Sequence, residues 1–219
     1  MYLKLDDDLS AKFPGLHARM THLRDLTIKP LIPELESFKK QVFEESAKKW
    51  NLEELKNNQV FRAYRDFFWK VKVDPTKTRP ASEALLRRIL RGNPLPTINT
   101  LVDAYNLSSV VTSISFGAFD TDKMRGNPVM REARAGEEFF GIGMDKPIQL
   151  GGGEAVIQDD ERLVAVYPYR DADYSKVITS TRNLLLLTCG VPSIGDEALK
   201  KAELIGVEYI TRFCGGAPS

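Results

Sequence analysis

The sequence predicts a mixed fold of helices and strands, and three observations carry that prediction. Apolar residues recur at helical spacing from Pro33 through Leu90. Between Asp120 and Leu187 the chain breaks into short apolar runs punctuated by Gly and Pro. A last amphipathic segment, residues 194–213, closes it.

At the N-terminus, residues 1–6 alternate, with Leu3 and Leu5 on one side, and predict a strand that the triple aspartate ends. Phe13-Pro14-Gly15 is a turn, and residues 16–28 form a further strand. His17 and His22 lie in it with no neighbouring catalytic partner and are assigned no role. From Pro33, the residues Leu35, Phe38, Val42 and Trp50 fall near one stripe of an amphipathic helix of about four turns. Asn51, with Glu54 three residues on, resembles a capping box that starts the next helix. Phe61, Tyr64, Phe67 and Phe68 then form an aromatic ridge beside Arg62 and Arg65. Such interleaving can serve RNA binding, but rings at helical spacing read as core, which leaves the arginines as candidates.

Residues 74–78 are a loop into the stretch that reads most like a site, Arg79 to Asp120. Pro80 suits a helix start, and Gly92, Pro94 and Pro96 end that helix after about three turns. Arg87, Arg88 and Arg91 share an arc of roughly 100°, opposite Leu85, Leu86, Ile89 and Leu90. Asn99 is a candidate cap for the following helix, on which Asp103 and Asn106 share a face beside the apolar Leu101, Val102 and Tyr105. Polar groups so placed must be paired or used. Either they cap the helix and tie down a corner at residues 117–120, or they line a pocket.

After Asp120 the predicted strands are residues 129–134, 138–142, 155–158 and 163–169. Gly151-Gly152-Gly153-Glu154 lacks the Lys-Ser or Lys-Thr of a phosphate loop and reads as a hairpin connection, so no ATP site is expected. Arg170, Asp171 and Asp173 crowd a loop at the end of an apolar strand, either as a surface ion-pair loop or as a pocket wall. Thr179, Thr181 and Asn183 lead into a buried strand at residues 184–187, and Gly215-Gly216 stops the last helix before a frayed polar tail.

A chain of 219 residues, 42% hydrophobic and 28% charged, can bury one core. One compact unit is expected over residues 1–219, with residues 1–75 as an N-terminal part and 78–187 as the central region. No apolar run approaches the roughly eighteen residues of a membrane span, and the first ten residues are too acidic for a signal peptide, so a cytoplasmic protein is expected. Cys189 and Cys214 have no metal-binding spacing, and neither a metal nor a disulfide framework is expected. The net charge of +1 is unlike that of a general nucleic-acid binder. Between Arg62 and Arg91, however, nine Lys and Arg stand against three acids, a local basic patch that could meet a phosphate backbone.

The motifs RPASEALLRRIL, LPTINTLVDAYN, GAFD, REARAGEEF and YRDADYSKVITSTRNLLLL, in this order and spacing, resemble the B3/B4 tRNA-binding and editing domain of the phenylalanyl-tRNA synthetase beta subunit, its free-standing members above all. The resemblance is strong over roughly residues 78–187. It implies a three-layer α+β fold with a β-sandwich centre and flanking helices. It also implies hydrolysis of the ester of a misacylated aminoacyl-tRNA, without a cofactor. Bacterial editing domains carry a histidine immediately before Ala-Phe-Asp, where this chain has Gly117.

By position, Asp173 resembles the acidic residue of the editing pocket, and Asp173, Asp103 and Asp120 are the implied catalytic set. Asn99, Asn106, Gly117, Arg170, Asp171, Thr179 and Thr181 would contact substrate. Arg79, Arg87, Arg88 and Arg91 would hold the acceptor end through its phosphates, with Arg79 equally suited to bracing the pocket acids. The expected partners are tRNA or aminoacyl-tRNA, with an aminoacyl-tRNA synthetase as a further possibility, and neither DNA nor a membrane. The chain is too short for a complete synthetase and has no recognisable adenylate-forming region. A non-catalytic RNA-binding or synthetase-associated module, and a pocket for a free amino acid, are the alternatives.

Overall fold

A computed structural model describes residues 3–219. Of the first predicted strand, Met1 and Tyr2 lie outside the described residues. What is seen is β1 (Lys4–Leu5), after which the aspartates do more than end a strand. Asp6 accepts from the N–H groups of Asp8 and Leu9 and caps a helix that the sequence reading missed, α1 (Asp7–Lys12), with Asp7 and Asp8 in its first turn. β2 (Ala18–Arg24) is shorter than expected because Asp25 turns into the left-handed region, φ 58°.

The helical stretch comprises α2 (Pro33–Lys49), α3 (Gln59–Lys70), α4 (Ala81–Leu90) and α5 (Thr100–Thr112). Asn51 does not start α3. It precedes a short 3-10 turn at Glu54–Asn57, and Asn58 supplies the cap by accepting from Val60 and Phe61. Phe61, Tyr64, Phe67 and Phe68 are buried, as a core ridge should be. Asn99 caps α5 by accepting from the N–H groups of Leu101 and Val102. Asn99→Ala should therefore cost about 1 kcal/mol of stability by denaturant titration, with no change in fold.

The corner expected at residues 117–120 is a strand, β3 (Ser115–Asp120), with all six residues buried. There follow β4 (Val129–Glu132), β5 (Glu138–Phe139), β6 (Ile148–Gln149), β7 (Ala155–Gln158), β8 (Leu163–Val166), β9 (Arg170–Asp171) and β10 (Leu184–Cys189). Last come α6 (Asp196–Cys214) and β11 (Ala217–Pro218). The polar tail is thus paired rather than frayed, since β11 adds to β2. The glycine run before β7 is not a hairpin connection either: β6 pairs only with β5, whereas β7 lies between β4 and β8.

One sheet runs β11-β2-β10-β3 and the other β1-β4-β7-β8-β9. Alternation along β3 and β10 sends Phe116 and Leu186 toward α6, where Gly206 allows their close approach. It sends Gly117, Leu187 and Cys189 toward the second sheet. The architecture is α+β, with helices α5 and α6 on one face of the four-stranded sheet and the five-stranded sheet on the other. Tyr64 of α3 fixes the end of this sandwich: its hydroxyl donates to the Cys189 carbonyl and accepts from the Ser115 N–H. The Tyr167 hydroxyl donates to the Gly190 carbonyl beside it.

Candidate functional site

Where the two sheets meet α4 and α5 lies a cavity of about 180 Å³, lined by Tyr105 and Asn106 of α5, Ala81 of α4, Phe116, Gly117, Leu187 and Cys189 of the four-stranded sheet, and the segment Ala165 to Tyr169 with Asp171. Asp171 reaches across from β9. A Cβ on Gly117 would stand 3.3 Å from its Oδ1, a tight contact, so glycine at 117 lets the carboxyl approach without crowding. The Ala118 N–H is its hydrogen-bond donor. Burial, the strongest influence, pushes the carboxyl up to about 7 against the opposing pull of that N–H and of Arg170. Burial also raises the Tyr105 hydroxyl and the Cys189 thiol, and the nearby Asp171 charge adds to both. The thiol is therefore protonated at neutral pH, and the polar group poised to titrate here is Asp171.

A wider cleft of about 580 Å³ is lined by Lys77, Arg79, Arg87, Arg88 and Arg91, with Asn93, Pro96 and Asn106. It shares Ala81 and Asn106 with the inner cavity, so the two adjoin at these residues. The wall is pre-arranged by Glu83, which is fully buried and accepts from Arg87 Nε at 2.6 Å and Arg65 Nε at 2.8 Å. Arg88 Nε donates to the Pro94 carbonyl at 2.6 Å. Arg79 and Arg91 are exposed, and neither side chain has a hydrogen bond or ion pair to another of the described residues. All four predicted arginines thus border one cleft, two of them braced and two open to a ligand.

The other named residues lie elsewhere. Asp103 is buried and paired with Lys39, whose Nζ stands 2.5 Å from its Oδ2, while Oδ1 accepts from the Ile98 N–H. Burial pushes this carboxyl upward and the Lys39 and Ile98 bonds pull it down. Lys39 also donates to Thr97 Oγ1, so the pair holds the 92–99 loop that forms the outer cleft wall. Asp120 accepts from the Thr181 hydroxyl at 2.7 Å and from the Asp122 N–H, fixing the loop before β10. Asp173 is bonded to Lys176 at 2.8 Å and does not line the cavity. Arg170 donates to the Ile142 carbonyl, and Thr179 is exposed, its carbonyl accepting from Arg182.

Of the predicted site residues, Asn106, Gly117 and Asp171 come together at the inner cavity. Tyr105, Tyr167, Tyr169, Leu187 and Cys189 were not foreseen there. Of these, Tyr167 and Tyr169 sit in the turn between β8 and β9 and Cys189 on β10, a convergence that no local sequence pattern signals. Among the described residues no group of three or more His, Cys, Asp or Glu could hold a metal ion, and no helix is long and apolar enough to cross a membrane.

These features define an α+β protein whose two sheets and helices α4 and α5 wall a small pocket with a titratable carboxyl, beside an arginine-lined cleft. The chain belongs to the B3/4 domain family, whose model matches residues 63–201. It is similar to the phenylalanine–tRNA ligase beta subunit of Fusobacterium nucleatum, 30% identical over 102 residues, covering 46% of this chain and 12% of that one. With the beta subunit of Chromobacterium violaceum it shares 29% over 103 residues, 47% of this chain and 13% of the other. The aligned part thus spans about an eighth of these relatives. An N-terminal fragment of the phenylalanyl-tRNA synthetase beta subunit from Pyrococcus horikoshii has the same fold, with a TM-score of 0.53 at 13% identity over 99% of this chain and 49% of that fragment.

Proposed function

We propose that the chain binds the acceptor end of an aminoacyl-tRNA in the arginine cleft and hydrolyses the ester of a wrongly attached amino acid in the inner pocket, acting in trans in the cytoplasm. One observation carries this reading: a pocket holding a carboxyl pushed up to about 7 adjoins, at Ala81 and Asn106, a cleft bearing arginines free to meet phosphate. Family membership and the similarity to phenylalanine–tRNA ligase beta subunits support it.

In this reading Asp171, rather than Asp173, is the general base. Its carboxylate takes a proton from a water that attacks the ester carbonyl; the tetrahedral species collapses, the ester C–O bond breaks, and the proton passes to the departing ribose oxygen. A side chain at 117 would crowd the Asp171 carboxyl, and in this reading that carboxyl, from the facing sheet, serves where bacterial domains carry the group before Ala-Phe-Asp. Arg79 and Arg91 neutralise phosphates, and Asn106 stands where cleft and pocket meet.

The test of this placement is binding of a minihelix RNA carrying an amide-linked, non-hydrolysable aminoacyl group. Arg79→Ala/Arg91→Ala should weaken it and make the dependence of log affinity on log salt shallower by about one to two units, one per lost phosphate contact. Unchanged affinity and slope would contradict the assignment of the cleft.

A further inference from the structure

α3 turns one large ring outward. Phe61, Tyr64, Phe67 and Phe68 are buried, whereas Trp69 is 57% exposed and makes no ring or cation contact with another of the described residues. It borders a hollow of about 350 Å³ whose other walls are Arg65, Pro75, Thr76, Arg79 and Arg87. Arg79 and Arg87 also line the arginine cleft, so the hollow adjoins that cleft, which in turn adjoins the inner pocket at Ala81 and Asn106. Arg65 and Arg87 are held by the buried Glu83, which leaves the hollow with a net positive charge and two guanidinium groups fixed in place.

We propose that Trp69 is a stacking platform for an unpaired base of the RNA strand whose acylated 3′ end enters the inner pocket. This rests on the function proposed above and adds a second contact to it. A flat apolar ring flanked by fixed cations matches the two faces of a nucleotide: the base lies on the indole, and its phosphate meets the arginines. Stacking accepts any base, so the platform would add affinity without selecting sequence. It would also set the direction of the strand across the cleft. An apolar protein segment would match the indole but would leave three guanidinium groups facing it.

The test uses the full chain and two probes of equal length and charge, a single-stranded RNA heptamer ending in CCA and its abasic counterpart. Trp50→Phe leaves Trp69 as the sole tryptophan. The RNA should quench or shift its emission and the abasic strand should not. Trp69→Ala should weaken RNA binding at least about fivefold and Trp69→Tyr should restore most of it, with the salt slope and abasic-strand affinity unchanged. Equal RNA affinity for Trp69→Ala and the parent, or an equal loss for both strands, would overturn the platform. Salt-insensitive, Trp69-dependent binding of a synthetase subunit without RNA binding would overturn it in favour of a protein contact. Deacylation by the parent chain, measured alongside, separates the two claims. Turnover without Trp69 dependence sinks the platform alone, and Trp69-dependent RNA binding without turnover sinks hydrolysis alone.

Discussion

Asp171→Asn is expected to lower single-turnover hydrolysis of a mischarged aminoacyl-tRNA by at least about 100-fold, the usual contribution of a placed general base, while RNA binding is retained. The parent rate should rise with pH through about 7, as the carboxyl ionises, and the variant should lose that limb. The same group shapes stability. Its proton is held to about pH 7 in the folded chain but is released near 3.8 when exposed, so between these values the native state binds more protons than the unfolded one. The stability contributed by Asp171 therefore falls as pH rises through that window. Asp171→Asn should remove the fall and leave the protein about 1–3 kcal/mol more stable at pH 8 by denaturant titration. A variant less active yet more stable is the signature of a carboxyl kept for function rather than for folding. Equal activity in parent and variant would remove Asp171 from the mechanism.

Asp103→Ala should do the reverse. It leaves the buried Lys39 ammonium without its interior partner and the Ile98 N–H without its acceptor, for a loss of about 3 kcal/mol. Lys39 retains Glu36 and Thr97, which keeps the cost from being larger. Removing both charges, as in Lys39→Met/Asp103→Leu, should recover most of the loss. Hydrolysis per folded molecule at saturating substrate should be unchanged, because Asp103 supports the cleft loop and does not line the pocket. A large fall in that rate with stability intact would return Asp103 to the chemistry.

What the sequence made legible was local. The Asn99 cap, the aromatic ridge of α3 and the strand Ala155–Gln158 follow from neighbours a few residues apart, and all are present. The cationic face of α4 was readable for the same reason. The choice among the acids was not, because each depends on a partner far along the chain. Asp171 and Asp173 stand two residues apart in the sequence, and only the approach of β9 to Gly117 on the facing sheet selects one of them. Asp103 finds its ammonium 64 residues away. Asp120 finds Thr181 61 residues away. Trp69 follows directly on a buried phenylalanine, and its exposure depends on how α3 packs. Helix caps hide in the same way when a strand signal precedes them, as the aspartates before α1 show.

The most direct measurement is the rate of ester loss from a panel of cognate and mischarged aminoacyl-tRNAs in the presence of the purified chain. The account predicts that at least one mischarged species is deacylated well above its spontaneous rate, with cognate species spared and the effect lost in Asp171→Asn. Spontaneous rates across the whole panel, under conditions where the tRNA is bound, would contradict it and leave an RNA-binding module.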